Sequence, residues 1–338
     1  DWYINKNYNI LRNNKKILCK NRGIMLDYRI DTFLEVCRFM NFTKAARALN
    51  ITQPAVSQHI KYLEEMYHTT FFQFQGKKMA LTREGRLFLN SAKTFRHDEL
   101  YLRKKLEEAR KEQASLICGA TLTIGDFVFP EVMRNFLLRH PETDMAMEIG
   151  NTSELLKKLD DGEIDFAVVE GYFEKDAYEY RVWSKEKFIL AASPVYQFRH
   201  PPGKIRDLFG ERLIVREQGS GTREVLEKNL QTQNLSISNF SRRHEISSIH
   251  VIKSLAEAGC GITFLYQAAV QKELEKGSLK EIPLEDFQVF HDFNFVWRKD
   301  SIFSEEYEEI FHEFQKLGGQ MHEEEKNGID SARAGISQ

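Results

Sequence analysis

Apolar residues recur at helical spacing through the first third of the chain and then, after Ser115, give way to short apolar runs alternating with helical stretches. Over Leu26 to Met40, Ile30, Phe33, Leu34, Cys37 and Met40 fall on one face and predict a first helix. Within residues 43–64, Ala45, Ala46 and Leu49 make the inward face of a short helix that Thr43 can cap. Asn50 and Ile51 form a break. Thr52 can cap a second helix, with Pro54 in its first turn, where a missing N–H costs nothing. Val56, Ile60 and Leu63 give that helix one apolar stripe to pack on the first, and the small Ala45 and Ala46 permit the close crossing that a helix-turn-helix demands.

The opposite face of the second helix carries Gln53, Ser57 and Lys61 at steps of four, flanked by Gln58. Amides, a hydroxyl and a cation pointing away from the core together suit base edges and phosphates. Downstream, Phe71 to Thr82 reads as two short strands around a Gly-Lys turn, with Lys77 and Lys78 at the tip of a wing. Thr82-Arg-Glu-Gly85 then opens a long helix in which Phe88, Ala92, Phe95, Leu102, Leu106 and Ala109 follow a strict 4-3 repeat once Glu99 is accepted as a polar member. Such a seam wants a second helix, so residues 83–113 are expected to dimerise.

Beyond Ser115, Leu116–Gly119, Met145–Ile149, Asp165–Val169, Phe188–Ala192, Arg212–Val215 and Gly261–Leu265 read as strands. Helical stretches at 131–139, 154–159, from Thr222, and at 249–258 separate them. This βαβ alternation predicts an α/β fold with helices on both faces of parallel or mixed sheets. In such sheets ligands bind beyond the carboxyl ends of strands. Thr121 and Thr123, Asn151 and Thr152, and Gly219-Ser220-Gly221-Thr222-Arg223 all lie in loops of that kind. Hydroxyls and free N–H groups at a helix start accept an anion, so a small anionic ligand is expected. The bland alternatives are that Ser220 and Thr222 only cap a helix and that Arg223 pairs with Glu227.

Composition narrows the picture. A chain of 338 residues is too long for one small core. Its net charge of −2 excludes a general polyanion binder, and residues 25–86 hold nine Lys/Arg against six Asp/Glu, so any affinity for nucleic acid must be local. Cys19, Cys37, Cys118 and Cys260 are too scattered for a zinc site and fit a reducing cytoplasm. No apolar run is long enough to span a membrane. The chain has no Walker loop, nucleophile elbow or His-Glu-x-x-His, and its ten histidines make no ligand spacing, so neither metal nor cofactor is expected and catalysis has no supporting constellation.

The stretch from Phe42 to Glu64 closely resembles the DNA-binding motif of LysR-type transcriptional regulators. Gly119–Gly125, Gly150–Thr152, Gly162–Val169, Gly219–Arg223 and Ala258–Ile262 extend the likeness to the LysR effector domain. Gly-Ser-Gly-Thr-Arg is similar to regulators of sulfur assimilation and carbon fixation. One departure is the wing, where Phe71-Phe-Gln-Phe74 stands in place of Leu-Phe-x-Arg.

The resemblance implies an N-terminal all-α winged helix-turn-helix joined to a two-lobed, periplasmic-binding-protein-like α/β effector domain. The expected division is a leader at 1–24, either upstream translation or a disordered basic segment; the winged domain at 25–82; a dimerising linker at 83–113; lobe 1 at 114–170 and 267–317; lobe 2 at 171–266; and a disordered tail at 318–338. The crossings would lie near Glu170-Gly171 and Tyr266-Gln267. Thr43, Gln53, Pro54, Ser57, Gln58, Lys61, Lys77 and Lys78 would meet double-stranded promoter DNA; Thr121, Thr123, Asn151, Thr152, Ser220, Gly221, Thr222 and Arg223 would hold the effector. Self-association as a dimer or tetramer and contact with RNA polymerase are further implied. A free-standing solute-binding protein or a small-anion enzyme of the same two-lobed fold are the alternatives.

Overall fold

The computed structural model describes residues 27–76 and 78–318; the expected leader, the tail beyond residue 318 and Lys77 fall outside them. The chain divides into two compact units, residues 1–99 and 100–338. The first contains α1 (Tyr28–Phe39), α2 (Phe42–Leu49), α3 (Gln53–Met66), a hairpin of β1 (Phe72–Gln75) and β2 (Lys78–Leu81), and the start of α4 (Arg83–Lys111). Its core is aromatic where the three parts meet. Phe33 of α1 lies edge-on to Phe71 at 5.1 Å and to Phe88 of α4 at 4.8 Å, while Phe71 and Phe88 stack at 4.4 Å. Pairs of this kind contribute about 0.5–1.5 kcal/mol each beyond their burial.

Two details differ from the sequence-based expectation. Asn41, not Thr43, caps α2: it is extended, and its side chain accepts from the Lys44 N–H at 2.9 Å, because the helix already begins at Phe42. Thr43 therefore sits exposed in the first turn. Phe88 and Ala92, the first two members of the proposed seam, are buried in the unit's own core and are unavailable to a second helix. Phe95, 45 % exposed, and Leu106, 63 % exposed, stay open.

The second unit begins with the end of α4, which Tyr101, donating to Glu306 at 3.1 Å, and Lys104, paired with Asp165, fasten to the sheet below. The strands are β3 (Ser115–Thr121), β4 (Asp144–Gly150), β5 (Phe166–Val169), β6 (Tyr178–Ala192), β7 (Arg212–Val215), β8 (Arg242–Glu245), β9 (Ile262–Tyr266), β10 (Lys280–Glu281) and β11 (Val289–Arg298). They form one hydrogen-bonded path, β4-β3-β5-β11-β6-β9-β7-β8, with β10 on β6. Helices α5 (Phe129–Arg139), α6 (Thr152–Asp160), α7 (Gly221–Thr232), α8 (Ile249–Glu257), α9 (Gln267–Lys276) and α10 (residues 304–318) cover the faces.

Two lobes are present, but the chain does not cross between them near Glu170-Gly171 and Tyr266-Gln267. Long strands carry both crossings. The second half of β11 lies between β5 and the first half of β6, and the second half of β6 pairs with β9. Helix α9 remains in the second lobe, where Ala269 and Val270 pack with Ile189, Ile214 and Leu265. The crossing through β6 was hidden because residues 179–187 are only partly buried and read as polar.

Gly85 is fixed by a close approach: a Cβ there would lie 2.1 Å from the Phe71 carbonyl oxygen. Its N–H donates to Thr82 Oγ1 at 2.8 Å, so the helix start cannot move aside freely. Gly85→Ala is expected to destabilise the first unit by about 1–3 kcal/mol, as overpacking does, with the loss read by denaturant unfolding of the full chain.

Candidate nucleic-acid interface and ligand cleft

Helices α2 and α3 are joined at Asn50, whose left-handed backbone (φ 56°, ψ 39°) ends α2, and Thr52, whose hydroxyl accepts from the Ala55 N–H at 3.3 Å, starts α3. Val56, Ile60 and Leu63 are buried against the core, which turns Gln53, Pro54, Gln58 and Lys61 to the outside, with Ser57 half-buried beside them. Gln53 Nε2 donates to Ser57 Oγ at 2.9 Å. Lys61 lies 3.5 Å from Glu65 with both side chains well exposed, a pairing weak enough to exchange for a phosphate. Lys78 is exposed at the start of β2, and Phe74 is 70 % exposed on β1. Behind α3, His59 shares a 3.0 Å hydrogen bond with Thr32, and burial, reinforced by the Arg29 charge, holds its imidazole below the ordinary range. That histidine braces the helix from inside.

In the second unit the cleft between lobes is lined from both sides. Lobe 1 contributes the end of β3 with the π-helical turn that follows it (Ile124–Val128), the start of α6, and Glu170 at the end of β5. Lobe 2 contributes Arg216 after β7 and the first turn of α7. Thr222 Oγ1 donates to Glu170 Oε1 at 2.7 Å and lies 3.4 Å from Thr123 Oγ1. The Thr123 hydroxyl and the Thr222 N–H also act on the Glu170 carboxyl, with the Arg216 guanidinium close by. Complete burial pushes the Glu170 carboxyl above the ordinary carboxylate range, while these donors and Arg216 pull the other way. Thr121 Oγ1, Thr152 Oγ1, Ser220 Oγ, Tyr266 Oη and Arg216 Nη1 are buried without a hydrogen-bond partner among the described residues.

Thr121, Thr123, Thr152, Ser220, Gly221 and Thr222 therefore gather at the ends of β3 and β5 and at the start of α7. Gly221 matters for contact rather than flexibility, since a Cβ there would meet Glu170 Cγ at 2.8 Å. Asn151 and Arg223 do not join them. Asn151 is committed to a capping box with Glu154, accepting from its N–H at 2.9 Å. Arg223 turns to the outer side of lobe 2, where its Nε meets Glu227 at 2.8 Å and its Nη1 meets Glu245 at 2.5 Å. The one-residue step from Thr222 rotates it off that side of α7, and it lines a cavity of about 640 Å³ with Glu227, Arg243 and Glu245. Glu170, Arg216 and Tyr266 were missed. The first two directly follow the apolar strands at 166–169 and 212–215, which is where ligand-facing residues are expected in such sheets.

No group of His, Cys, Asp or Glu among the described residues could hold a metal ion, and no described helix is long and apolar enough to cross a membrane. Cys118 is fully buried, which pushes its thiol up to about 12.

Comparison with known proteins gives the same two parts. Residues 28–86 match the family model described as bacterial regulatory helix-turn-helix protein, lysR family, and residues 109–316 match the LysR substrate binding domain. The chain is 28 % identical over 275 residues to the HTH-type transcriptional regulator CysL of Bacillus subtilis, covering 79 % of this chain and 89 % of that one. It is 27 % identical over 282 residues to a probable RuBisCO transcriptional regulator of Phaeodactylum tricornutum, covering 82 % and 92 %. In fold it is similar to full-length LysG of Corynebacterium glutamicum, solved with bound effector Arg, at TM-score 0.58 and 15 % identity over 88 % of this chain and 99 % of that one.

The position of Arg223 separates a structural role from a ligand role. Arg223→Ala is expected to lower the stability of the second unit by about 1–2 kcal/mol, the loss of charged hydrogen bonds to partly exposed partners. Anion affinity should stay within twofold of the parent by calorimetry.

Proposed function

The chain belongs to the LysR family of transcriptional regulators, and from that premise we propose how it reads DNA and what it senses. It is a DNA-binding regulator with an effector-binding domain. The observation that carries the DNA assignment is the outward face of α3, where Gln53, Ser57, Gln58 and Lys61 stand free of the core. That face enters the major groove, with Gln53 and Gln58 directed at base edges and Thr43, Lys61 and Lys78 at phosphates. Pro54 fixes the helix start beside the backbone. The protein works as a homodimer, because one recognition helix reads too few bases and two must be spaced by about 34 Å or a multiple. The open apolar residues Phe95, Leu102, Leu106 and Ala109 of α4 supply the pairing surface. Tetramer formation and contact with RNA polymerase at the promoter extend this arrangement, and a reader of promoters acts in the cytoplasm.

The effector is a small anion seated by the start of α7 and by the hydroxyls of Thr121, Thr123, Thr152, Ser220 and Thr222, with Arg216 as the balancing cation. The role requires binding rather than turnover, and the relatives are regulators.

Lys78→Ala is expected to weaken binding to all DNA sequences and to reduce the salt slope of the bound dimer by about 1.8, the contribution of one phosphate contact from each protomer. Gln53→Ala should instead shift site preference, costing about 1–3 kcal/mol at one base pair. Footprinting and salt titration of both variants test the assignment, and parental slopes and footprints in both would refute it. For the effector, saturating sulfate or phosphate at 100 times its dissociation constant should stabilise the second unit by about 2.7 kcal/mol, seen as a rise in its melting temperature.

A further inference from the structure

The seat proposed for the effector already has an occupant from the chain itself. Glu170 belongs to lobe 1, at the end of β5, yet its carboxyl group accepts from Thr222 of lobe 2 at 2.7 Å and is fully buried against the first turn of α7. Thr123 Oγ1 of lobe 1 lies 3.4 Å from Thr222 Oγ1, Arg216 lies on the same side, and Glu170 Oε2 has no hydrogen-bond partner among the described residues. Those are the groups an incoming anion would need. Gly221 lets the side chain in, since any Cβ there would strike Glu170 Cγ at 2.8 Å and the Gly171 N–H nitrogen at 3.2 Å. Gly171 is held in turn by Thr152, whose Oγ1 would be 2.3 Å from a Cβ at that position. The packing is thus shaped around Glu170. Meanwhile Ser220 Oγ, at the cap of the same helix, and Thr121 and Thr152 Oγ1 remain buried and without hydrogen-bond partners among the described residues.

We propose that Glu170 is a built-in latch: in the absence of effector its carboxyl group occupies the anion seat and ties lobe 1 to the start of α7, and an anionic effector binds by displacing it. The idea rests on the anion reading of the cleft. Glu170 and an incoming anion compete for the Thr222 hydroxyl, which has one hydrogen to donate and gives it to Glu170 Oε1. Effector binding therefore breaks one bond across the cleft as it makes others. The apparent affinity is lowered by the free energy needed to release the latch, a cost that removing the carboxyl group lifts. A ligand that delivers several acceptor atoms at once, such as sulfate or phosphate, can satisfy Ser220, Thr121 and Thr152 in addition to the Thr222 hydroxyl that Glu170 uses. That surplus lets it win.

The test titrates the full chain with inorganic sulfate and with inorganic phosphate by calorimetry, in the parent and in Glu170→Ala, Glu170→Gln and Thr222→Ala. Glu170→Ala should bind at least tenfold tighter than the parent. Glu170→Gln, the same shape without the charge, should bind tighter by a smaller factor, and Thr222→Ala should bind more weakly. Amide hydrogen exchange without any ligand gives an independent reading: Thr222 should exchange at least tenfold faster in Glu170→Ala. If the parent binds anion and both Glu170 variants, melting cooperatively, bind no tighter, the latch is overturned while the anion seat stands. If Thr222 exchange is unchanged in Glu170→Ala, the latch is likewise overturned. If no form binds either anion, the anion reading fails and the latch falls with it.

Discussion

The antiparallel pair of β6 and β11 is the constraint on which the second unit depends. It runs from Tyr178↔Arg298 to Phe188↔Val289, and its two ends belong to different lobes. At one end β11 pairs with β5; at the other β6 pairs with β9. It joins β3, β4 and β5 of one lobe to β7, β8 and β9 of the other in a single sheet. The lobes consequently cannot part by letting a linker go slack, and relative motion must bend the shared strands. The register shifts between Phe293 and Asn294, which face Ser184 and Val182 and leave Trp183 as the extra residue of a bulge. A bulge bends and twists a strand locally, so the bend has a defined position. Rotation about that point displaces the strand ends that line the cleft.

The polar groups in the cleft take their energetic meaning from this frame. A buried hydroxyl left without a partner costs about 1–3 kcal/mol, and Thr121, Thr152 and Ser220 each carry one with no partner among the described residues. The apolar side of the interface, where Leu122 and Phe127 of lobe 1 pack on the cluster around Ile249 and Val270 of lobe 2, opposes opening. A closed cleft therefore holds both a stabilising apolar contact and a set of donors with unmet demand. A ligand rich in acceptors relieves the second without disturbing the first. Arg216, buried and paired with Glu217 at 2.8 Å, places a cation beside the proposed anion seat.

How much of this was legible in the sequence depended on whether local pattern and tertiary role agreed. The helix-turn-helix was legible because capping, apolar spacing and turn chemistry coincide: Thr52, Pro54, Val56, Ile60 and Leu63 each do at their own position what the whole motif needs. The placement of Thr121 and Thr152 at the ends of β3 and β4 was legible from the strand pattern. The exchange of Asn41 for Thr43 as cap was not, since both residues are good caps and only the backbone decides which one is extended. The long strands failed for a different reason. Residues 179–187 of β6 are partly exposed and carry charges, so no alternation marks them, and β8 is exposed at every position on the sheet edge. Glu170 was passed over because a glutamate after an apolar strand reads as a solvated loop residue, and its burial arises from α7, more than fifty residues later.

The modest charge on the first unit bears on the proposed pairing through α4, which would add affinity as well as reading length. The surplus over residues 25–86 is three cations, and one of the outward cations, Lys61, already has Glu65 nearby. Phe74 on the wing offers no charge where the wing would approach the backbone. Each neutralised phosphate adds a roughly equal electrostatic increment, so a single unit with few such contacts binds weakly at ordinary salt. Two units held on one linker present twice the contacts, and once the first has docked the second binds as if at high local concentration. Weak individual units also leave the complex sensitive to how the pair is spaced. In the proposed dimer, an effector that altered that spacing would have leverage over promoter occupancy, which tight individual binding would remove.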